Sequence, residues 1–322
     1  MAYTPTIGLE IHAELKTRTK MFCNSPNDPD EEKPNINVCP VCMGYTGTLP
    51  VANHEAIRHV LKVGVALGGS LADYTEFHRK NYFYPDLPTG YQVSQYKFPL
   101  VSGGSLHDIA ITRIHLEEDT ARSSHEGEEW SLVDFNRAGV PLMELVTEPV
   151  IHDAKTASAF AQELQLLLRY LGAGDANMEK GQMRVEANIS LSSDDTLGTK
   201  VEVKNLNSFR AVHGAIEFEI QRQTQLLEEG AKVIQETRGW DEVKAITFSQ
   251  REKEEAHDYR YFPEPDLPLL QFTDKEIKEI KERLPELPQE RKTRLIKEYG
   301  IAEEAADVFV VNKDLGEYFE QV

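Results

Sequence analysis

The chain has 322 residues, enough to bury a large core and to hold two domains. Its 54 acidic residues against 35 basic ones give a formal net charge of −19, which argues against binding nucleic acid through bulk electrostatics and leaves that role to a local basic patch or a partner. No apolar run approaches the roughly 18 residues of a membrane span, and Met1-Ala2-Tyr3-Thr4-Pro5 lacks the basic and apolar parts of a signal peptide. With three cysteines, which fit a reducing compartment, the sequence reads as a soluble cytoplasmic protein.

The first element is a strand. Ile7, Leu9, Ile11, Ala13 and Leu15 alternate with Gly8, Glu10, His12 and Glu14, so the apolar set faces a core and the charged set the other side. Residues two apart on a strand are roughly 6.5–7 Å apart, so Glu10 and His12 can converge on one cation or phosphate. Residues 17–50 show little periodicity. They carry Cys23, a polar Pro-rich run, and Cys39-Pro40-Val41-Cys42. The two-residue spacer suits zinc, with Cys23 as a third thiolate and Ser, His, Asp or water as a fourth ligand; three reduced cysteines in a loop fit equally.

Residues 52–68 predict an amphipathic helix with Ala56, Val60, Val63 and Leu67 on one stripe. His78-Arg79-Lys80-Asn81-Tyr82-Phe83-Tyr84-Pro85-Asp86 interleaves basic and aromatic residues. That pattern suits a phosphate or a nucleobase, and it also suits a buried aromatic segment with snorkelling cations. Residues 109–119 predict a strand ending in Glu117-Glu118-Asp119, three carboxylates that repel unless solvated or holding a cation. Alternation puts Glu117 with His115 and Arg113, and Glu118 with Ile114 and Leu116. Residues 131–148 read as an apolar strand pair bent at Gly139-Val140-Pro141 and punctuated by Asp134, Asn136 and Glu144.

A helix is predicted over 153–171, capped by Asp153. Residues 183–191 and 200–205 form a hairpin with Glu186 and Glu202 near one another on its polar face, balanced either by a bound cation or by Lys200, Lys204 and Arg184. A long helix over 207–229 opens at Asn207 or Ser208, and a short strand lies near 245–249. Pro263, Pro265 and Pro268 mark a domain boundary, dividing the chain into 1–268 and 269–322. Thr273 with Glu276 opens a charge-rich helical stretch over 274–322. There is no GxxxxGK[ST] loop and no GxGxxG after a strand.

Ile7-Gly8-Leu9-Glu10-Ile11-His12, Arg79 to Asp86, His115-Leu116-Glu117-Glu118-Asp119, Asn136-Arg137-Ala138-Gly139-Val140-Pro141-Leu142, Lys204-Asn205-Leu206-Asn207-Ser208 and Asp258 to Asp266 together resemble the B subunits of the aspartyl/glutamyl-tRNA amidotransferases. The match runs in order from residue 7 to about residue 310. The resemblance implies an α+β fold, with a cradle-shaped catalytic domain on a mixed or antiparallel sheet followed by an all-helical domain. It also implies a reaction. The side-chain carboxylate of a mischarged Glu-tRNA(Gln) or Asp-tRNA(Asn) is phosphorylated by ATP. Ammonia from a glutaminase (A) subunit then displaces the phosphate, and a small C subunit clamps the heterotrimer.

By the same resemblance, magnesium is held at Glu10, His12 and Glu118, with Glu186 and Glu202 as further ligands or contacts to the ATP-bound metal. Strand alternation favours Glu117 in place of Glu118, and a bulge at the strand end would reconcile the two. Lys80 and Arg79, beside Tyr82, offer positive charge for an acyl phosphate or a gate. Carboxylate activation brings two anions together, which fits an acidic cradle loaded with divalent cations. Ser25 stands where many members carry another cysteine, so any zinc at Cys23, Cys39 and Cys42 has three thiolates. The sequence also stops short of the family's tRNA-gripping tail domain. Two other functions fit the same residues: an ATP-dependent amide ligase on a non-tRNA carboxylate, and a non-catalytic scaffold for the glutaminase.

Overall fold

The computed structural model describes residues 3–124, 130–194, 196–252 and 259–322; Met1, Ala2 and Asp258 lie outside them. The fold is α+β. Its centre is one mixed sheet, in the order Ile246–Glu252, Glu236–Asp241, Val201–Leu206, Met183–Ser192, Thr4–Glu14, Pro141–Thr147, Ile109–Glu118, Val101–Ser102, Ser70–Leu71. Neighbours are antiparallel except Val201–Leu206 with Glu236–Asp241, which run parallel.

The strand Thr4–Glu14 lies in the middle, paired with Met183–Ser192 on one side and Pro141–Thr147 on the other. Its Ile7, Leu9, Ile11 and Ala13 are fully or almost fully buried. They share the core with Val185, Ala187 and Ile189, with Met143 and Leu145, and with Ile114 and Leu116. One face of the sheet is therefore apolar and carries the helices.

Helices α1 (His54–Ala66), α2 (Ala154–Tyr170) and α3 (Phe209–Glu228) cover that face. Their N-termini are closed by Asn53, Asp153 and Ser208, whose side chains accept from Glu55 N, Thr156 N and Ala211 N. Of the two starts open for α3, the structure takes Ser208. The α1 stripe of Ala56, Val60, Val63 and Leu67 is buried as periodicity requires. Gly64 on α1 lies against Val101, leaving no room for a Cβ.

Beyond the sheet, helices α4 (Asp274–Glu282), α5 (Pro288–Tyr299), α6 (Glu303–Val311) and α7 (Lys313–Gln321) complete the chain. Thr273 and Glu276 form a reciprocal capping box at α4. Ile280 of α4 belongs to the main core, whereas Leu295, Ala306 and Val310 gather with Tyr170 in a second, smaller one.

Two expectations change. The stretch 131–148 is not a bent strand pair: Leu132–Asp134 pairs with Arg122–Ser124, and only Pro141–Thr147 enters the main sheet. Glu236–Asp241 is a full sheet strand, where the sequence marks only the short strand near 245–249 that follows it. Its apolar content is low because its buried side chains include Glu236 and Thr237, which find polar partners.

Candidate active site

The second face of the sheet is polar. Pairing places Glu10 across from Glu186, and His12 between Arg184 on one side and Glu144 on the other, with His115 across from Glu144. A row of four polar residues thus crosses four strands, and Glu117 lies two residues beyond His115 on the same face. His12 Nε2 is 3.3 Å from Glu144, 3.5 Å from Glu117 and 3.9 Å from Glu10. His115 Nε2 is 3.4 Å from Glu144 and 3.9 Å from Glu117.

Charge is strongly perturbed here. Burial lowers the affinity of His12 for its proton, but the Glu144 hydrogen bond and the charges of Glu144, Glu117 and Glu186 outweigh that and lift its pKa to about 9. Burial, then Glu144 and Glu186, push Glu10 up to about 7. Burial pushes Glu144 up as well, yet His115, His12 and Lys80 together hold it well below the usual carboxylate range. His115 is lowered, chiefly by burial. Glu117 Oε2 and His115 Nδ1 are buried without a hydrogen-bond partner. Two donor groups share Glu144, one being Glu10, His12 and Glu144, the other His115, Glu117 and Glu144; within each, one ligand atom per residue lies within 4.8 Å of the others. Carboxylates with a histidine in excess of local positive charge fit a divalent cation, whose binding releases the proton from His12.

Glu186 and Glu202 form a neighbouring acid pair. Lys204 Nζ stands between them, 2.7 Å from Glu186 and 3.6 Å from Glu202. Glu202 also accepts from Thr237 Oγ1 at 2.9 Å. Of Lys200, Lys204 and Arg184, Lys204 supplies the balance. Arg184 turns instead to Asp119 at 3.2 Å, and Arg137 approaches the same carboxylate at 3.6 Å.

Glu117 and Glu118 part company. Register runs unbroken from Arg113 to Glu118, and the irregularity falls at Val146/Thr147 instead of the strand end. The two carboxylates therefore leave opposite faces. Glu117 joins His12, whereas Glu118 accepts from Val93 N at 2.9 Å and lines a cavity of ≈ 430 Å³ with Arg79, Glu264 and Cys42. Burial raises the Glu118 pKa to about 7. Arg79 follows the same rule against Lys80. It makes a bidentate pair with Glu264 at 2.6 and 2.8 Å and lies 4.3 Å over the Tyr91 ring, so its charge is spent on Glu264 and away from the His12 cluster.

Lys80 points to the cluster side. Burial disfavours its charge, but Glu117, Tyr261 and Glu144 hold its pKa above the ordinary lysine value. Its Nζ lies 5.0 Å from the Tyr259 ring centre and 5.9 Å from that of Tyr82. Tyr82 donates to Gln92 at 3.3 Å, and burial makes it a weaker acid than usual.

The three cysteines converge, with sulfurs within 4.8 Å of one another. Lys20 Nζ and Ser25 Oγ each stand 3.8 Å from Cys42 Sγ. A hydrogen bond from Cys23 brings Cys42 down to about 5, and the same contact drives Cys23 up. Three sulfurs with a hydroxyl beside them fit a soft cation.

Alternation marks Glu144 only as polar punctuation, and it does not single out Glu264. One carboxylate inside Leu142-Met143-Glu144-Leu145-Val146 is the available signal for Glu144, since a buried strand tolerates such a group only with a partner. Glu264 lies 185 positions from Arg79 and carries no such signal.

Residues 5–278 match the family model of the GatB/GatE catalytic domain. The chain belongs to this family. Three curated relatives in it are named as the B subunit of an aspartyl/glutamyl-tRNA(Asn/Gln) amidotransferase. That of Thermotoga maritima is 48% identical over all of this chain and 70% of its own length. That of Thermodesulfovibrio yellowstonii is also 48% identical, with the same coverage. That of Carboxydothermus hydrogenoformans is 46% identical over 99% of this chain and 69% of its own. The family resemblance carried by the short motifs therefore extends across the whole catalytic domain. No helix among the described residues is long and apolar enough to cross a membrane.

Proposed function

We propose that this chain is the B subunit of a tRNA-dependent amidotransferase of the cytoplasm. It works with a glutaminase (A) subunit and a small C subunit, and converts Glu on tRNA(Gln), Asp on tRNA(Asn), or both to the amide. The observation that carries this reading is the convergence of Glu10, His12, Glu117 and Glu144 beside Lys80 on the polar face of the sheet, in a chain of the GatB/GatE family.

The reaction has two steps. The side-chain carboxylate takes the γ-phosphoryl group of ATP and ADP leaves. Ammonia then forms the C–N bond as inorganic phosphate departs. A magnesium ion at the cluster supplies charge neutralisation where two anions must meet. Glu10, His12, Glu117 and Glu144 are the residues that would hold it, with Glu117 taking the part that the family resemblance assigns to Glu118. Lys80 presents an ammonium at the same side, suited to steadying the phosphorylated carboxylate, and Tyr82 and Tyr259 flank it. Lys204 stands between Glu186 and Glu202, a carboxylate pair suited to contacts with a nucleotide-bound cation. Burial raises the Glu118 pKa to about 7, a proton affinity that suits a group taking the proton of an arriving ammonium ion. A zinc ion on Cys23, Cys39 and Cys42 would be structural.

The test is reconstitution. The chain is combined with its two partner subunits, ATP, magnesium and labelled Glu-tRNA(Gln) or Asp-tRNA(Asn), with glutamine or with ammonium. Labelled amide is expected with wild type and lost in Glu144→Gln and His12→Ala. A folded complex that hydrolyses ATP yet amidates neither tRNA overturns the assignment and points to another carboxylate substrate.

A further inference from the structure

Beside Lys80, the chain forms an open recess of ≈ 640 Å³ whose lining includes Tyr82, Phe83, Tyr84, Tyr259 and Phe262. Large aromatic rings are seldom left in solvent, because burying each one gains free energy. Yet Phe83 is 85% exposed, Tyr84 59% and Phe262 43%. The rings are arranged and not merely stranded. Tyr82 meets Tyr84 and Tyr259 edge-on, with centres 6.0 and 5.9 Å apart and interplanar angles of 63° and 66°. Asn81 ties the two ring-bearing segments together: its backbone N–H donates to Tyr259 O at 3.0 Å and its Nδ2 to Arg260 O at 2.8 Å. Phe83 lies against Gly90, where an added Cβ would stand 3.3 Å from the ring.

We propose that this recess is a stacking platform for a purine base, placed so that the phosphate or ribose end of the same molecule reaches Lys80. The inference deepens the amidotransferase reading and rests on it for the choice of a nucleotide ligand. A flat π-system fits between exposed rings, and stacking tolerates any base without hydrogen-bond readout. Lys80 supplies the cation that an anionic ligand needs near a chain of net charge −19. One chemistry has two sources here: the adenine of ATP, and the 3′-terminal adenosine of the aminoacyl-tRNA. Association with a partner protein is the competing use of exposed rings.

The test uses the assembled three-subunit complex and two fluorescent probes. One is the 2-aminopurine analogue of ATP; the other is a short RNA ending in CCA with 2-aminopurine at the 3′ position. Affinity for one probe is expected to fall about tenfold in Phe83→Ala and to return in Phe83→Tyr, with competition by inorganic tripolyphosphate unchanged. The probe affected names the source of the base. Equal affinity of both probes for wild type and Phe83→Ala overturns the proposal. So does a Phe83→Ala complex that dissociates on gel filtration while its probe affinities hold, which assigns the rings to a protein interface. Binding is read without amidation, so a lost amidation result with a persistent probe effect separates failure of the reaction from failure of the platform.

Discussion

Glu10 stands directly opposite Glu186 on adjacent antiparallel strands, with Lys204 Nζ 2.7 Å from Glu186. Like charges face to face oppose pairing, so the lysine and the raised proton affinity of Glu10 are what let this register stand. Replacing the lysine in Lys204→Met leaves the acid group uncompensated. A loss of about 1–3 kcal/mol is expected in urea unfolding, partly recovered by magnesium. Full stability of the variant in chelator would refute the balancing role.

Magnesium should raise the thermal midpoint of the complex, because a ligand that binds only the folded state stabilises it. At one hundred times its dissociation constant the gain is about 2.7 kcal/mol. The shift is expected to vanish in Glu117→Gln and Glu144→Gln and to persist in Glu118→Gln. The reverse pattern would place the metal in the cavity of Arg79.

His12 makes stability pH-dependent. Its pKa rises from an ordinary 6.5 to about 9, so its contribution is complete below pH 6.5 and is lost as pH climbs through 9. Cys42, brought down to about 5, runs the other way over the same range, but it cancels when wild type is compared with His12→Asn. Without divalent cations, the difference in urea midpoint between the two proteins should shrink from pH 6.5 to pH 9. A difference independent of pH would show that the imidazolium is not stabilised by its carboxylates.

Asp119 is almost fully buried and holds Arg184 at 3.2 Å, while accepting from Thr120 N at 2.9 Å. Breaking one side of a buried pair costs about 3–5 kcal/mol, more than removing both sides. Asp119→Asn is expected near the lower end, since Arg184 keeps some contact with water. Asp119→Asn with Arg184→Gln should cost less than the sum of the single changes. Strict additivity in a double-mutant cycle would rule out the coupling.

Ser25 Oγ lies 3.8 Å from Cys42 Sγ, so Ser25→Cys adds a fourth sulfur to the three present. Zinc retained against a chelator should rise in Ser25→Cys and fall in Cys39→Ser. Equal retention in all three proteins would mean that the cysteines bind no zinc.

Strand and helix identities were legible in the chain because they follow from local periodicity. A period of two places Glu10, His12, Glu186 and Glu202 on the face away from Ile7, Ile11, Val185 and Val203 whatever the rest of the molecule does. Asp153 and the Thr273–Glu276 pair announce helix starts for an equally local reason, since they satisfy backbone N–H groups within one turn. The same alternation separates Glu117 from Glu118 once the register is unbroken.

Which charges meet was not local. Strand pairing sets His12 beside Glu144 and Glu10 beside Glu186, and register depends on how whole apolar faces fit over α1, α2 and α3. Arg79 finds Glu264 only when segments far apart in the chain are folded together. Alternation within each strand is enough to make a polar face. Which carboxylates of that face converge on His12 is settled by folding, because it depends on distances across strands that no single strand specifies.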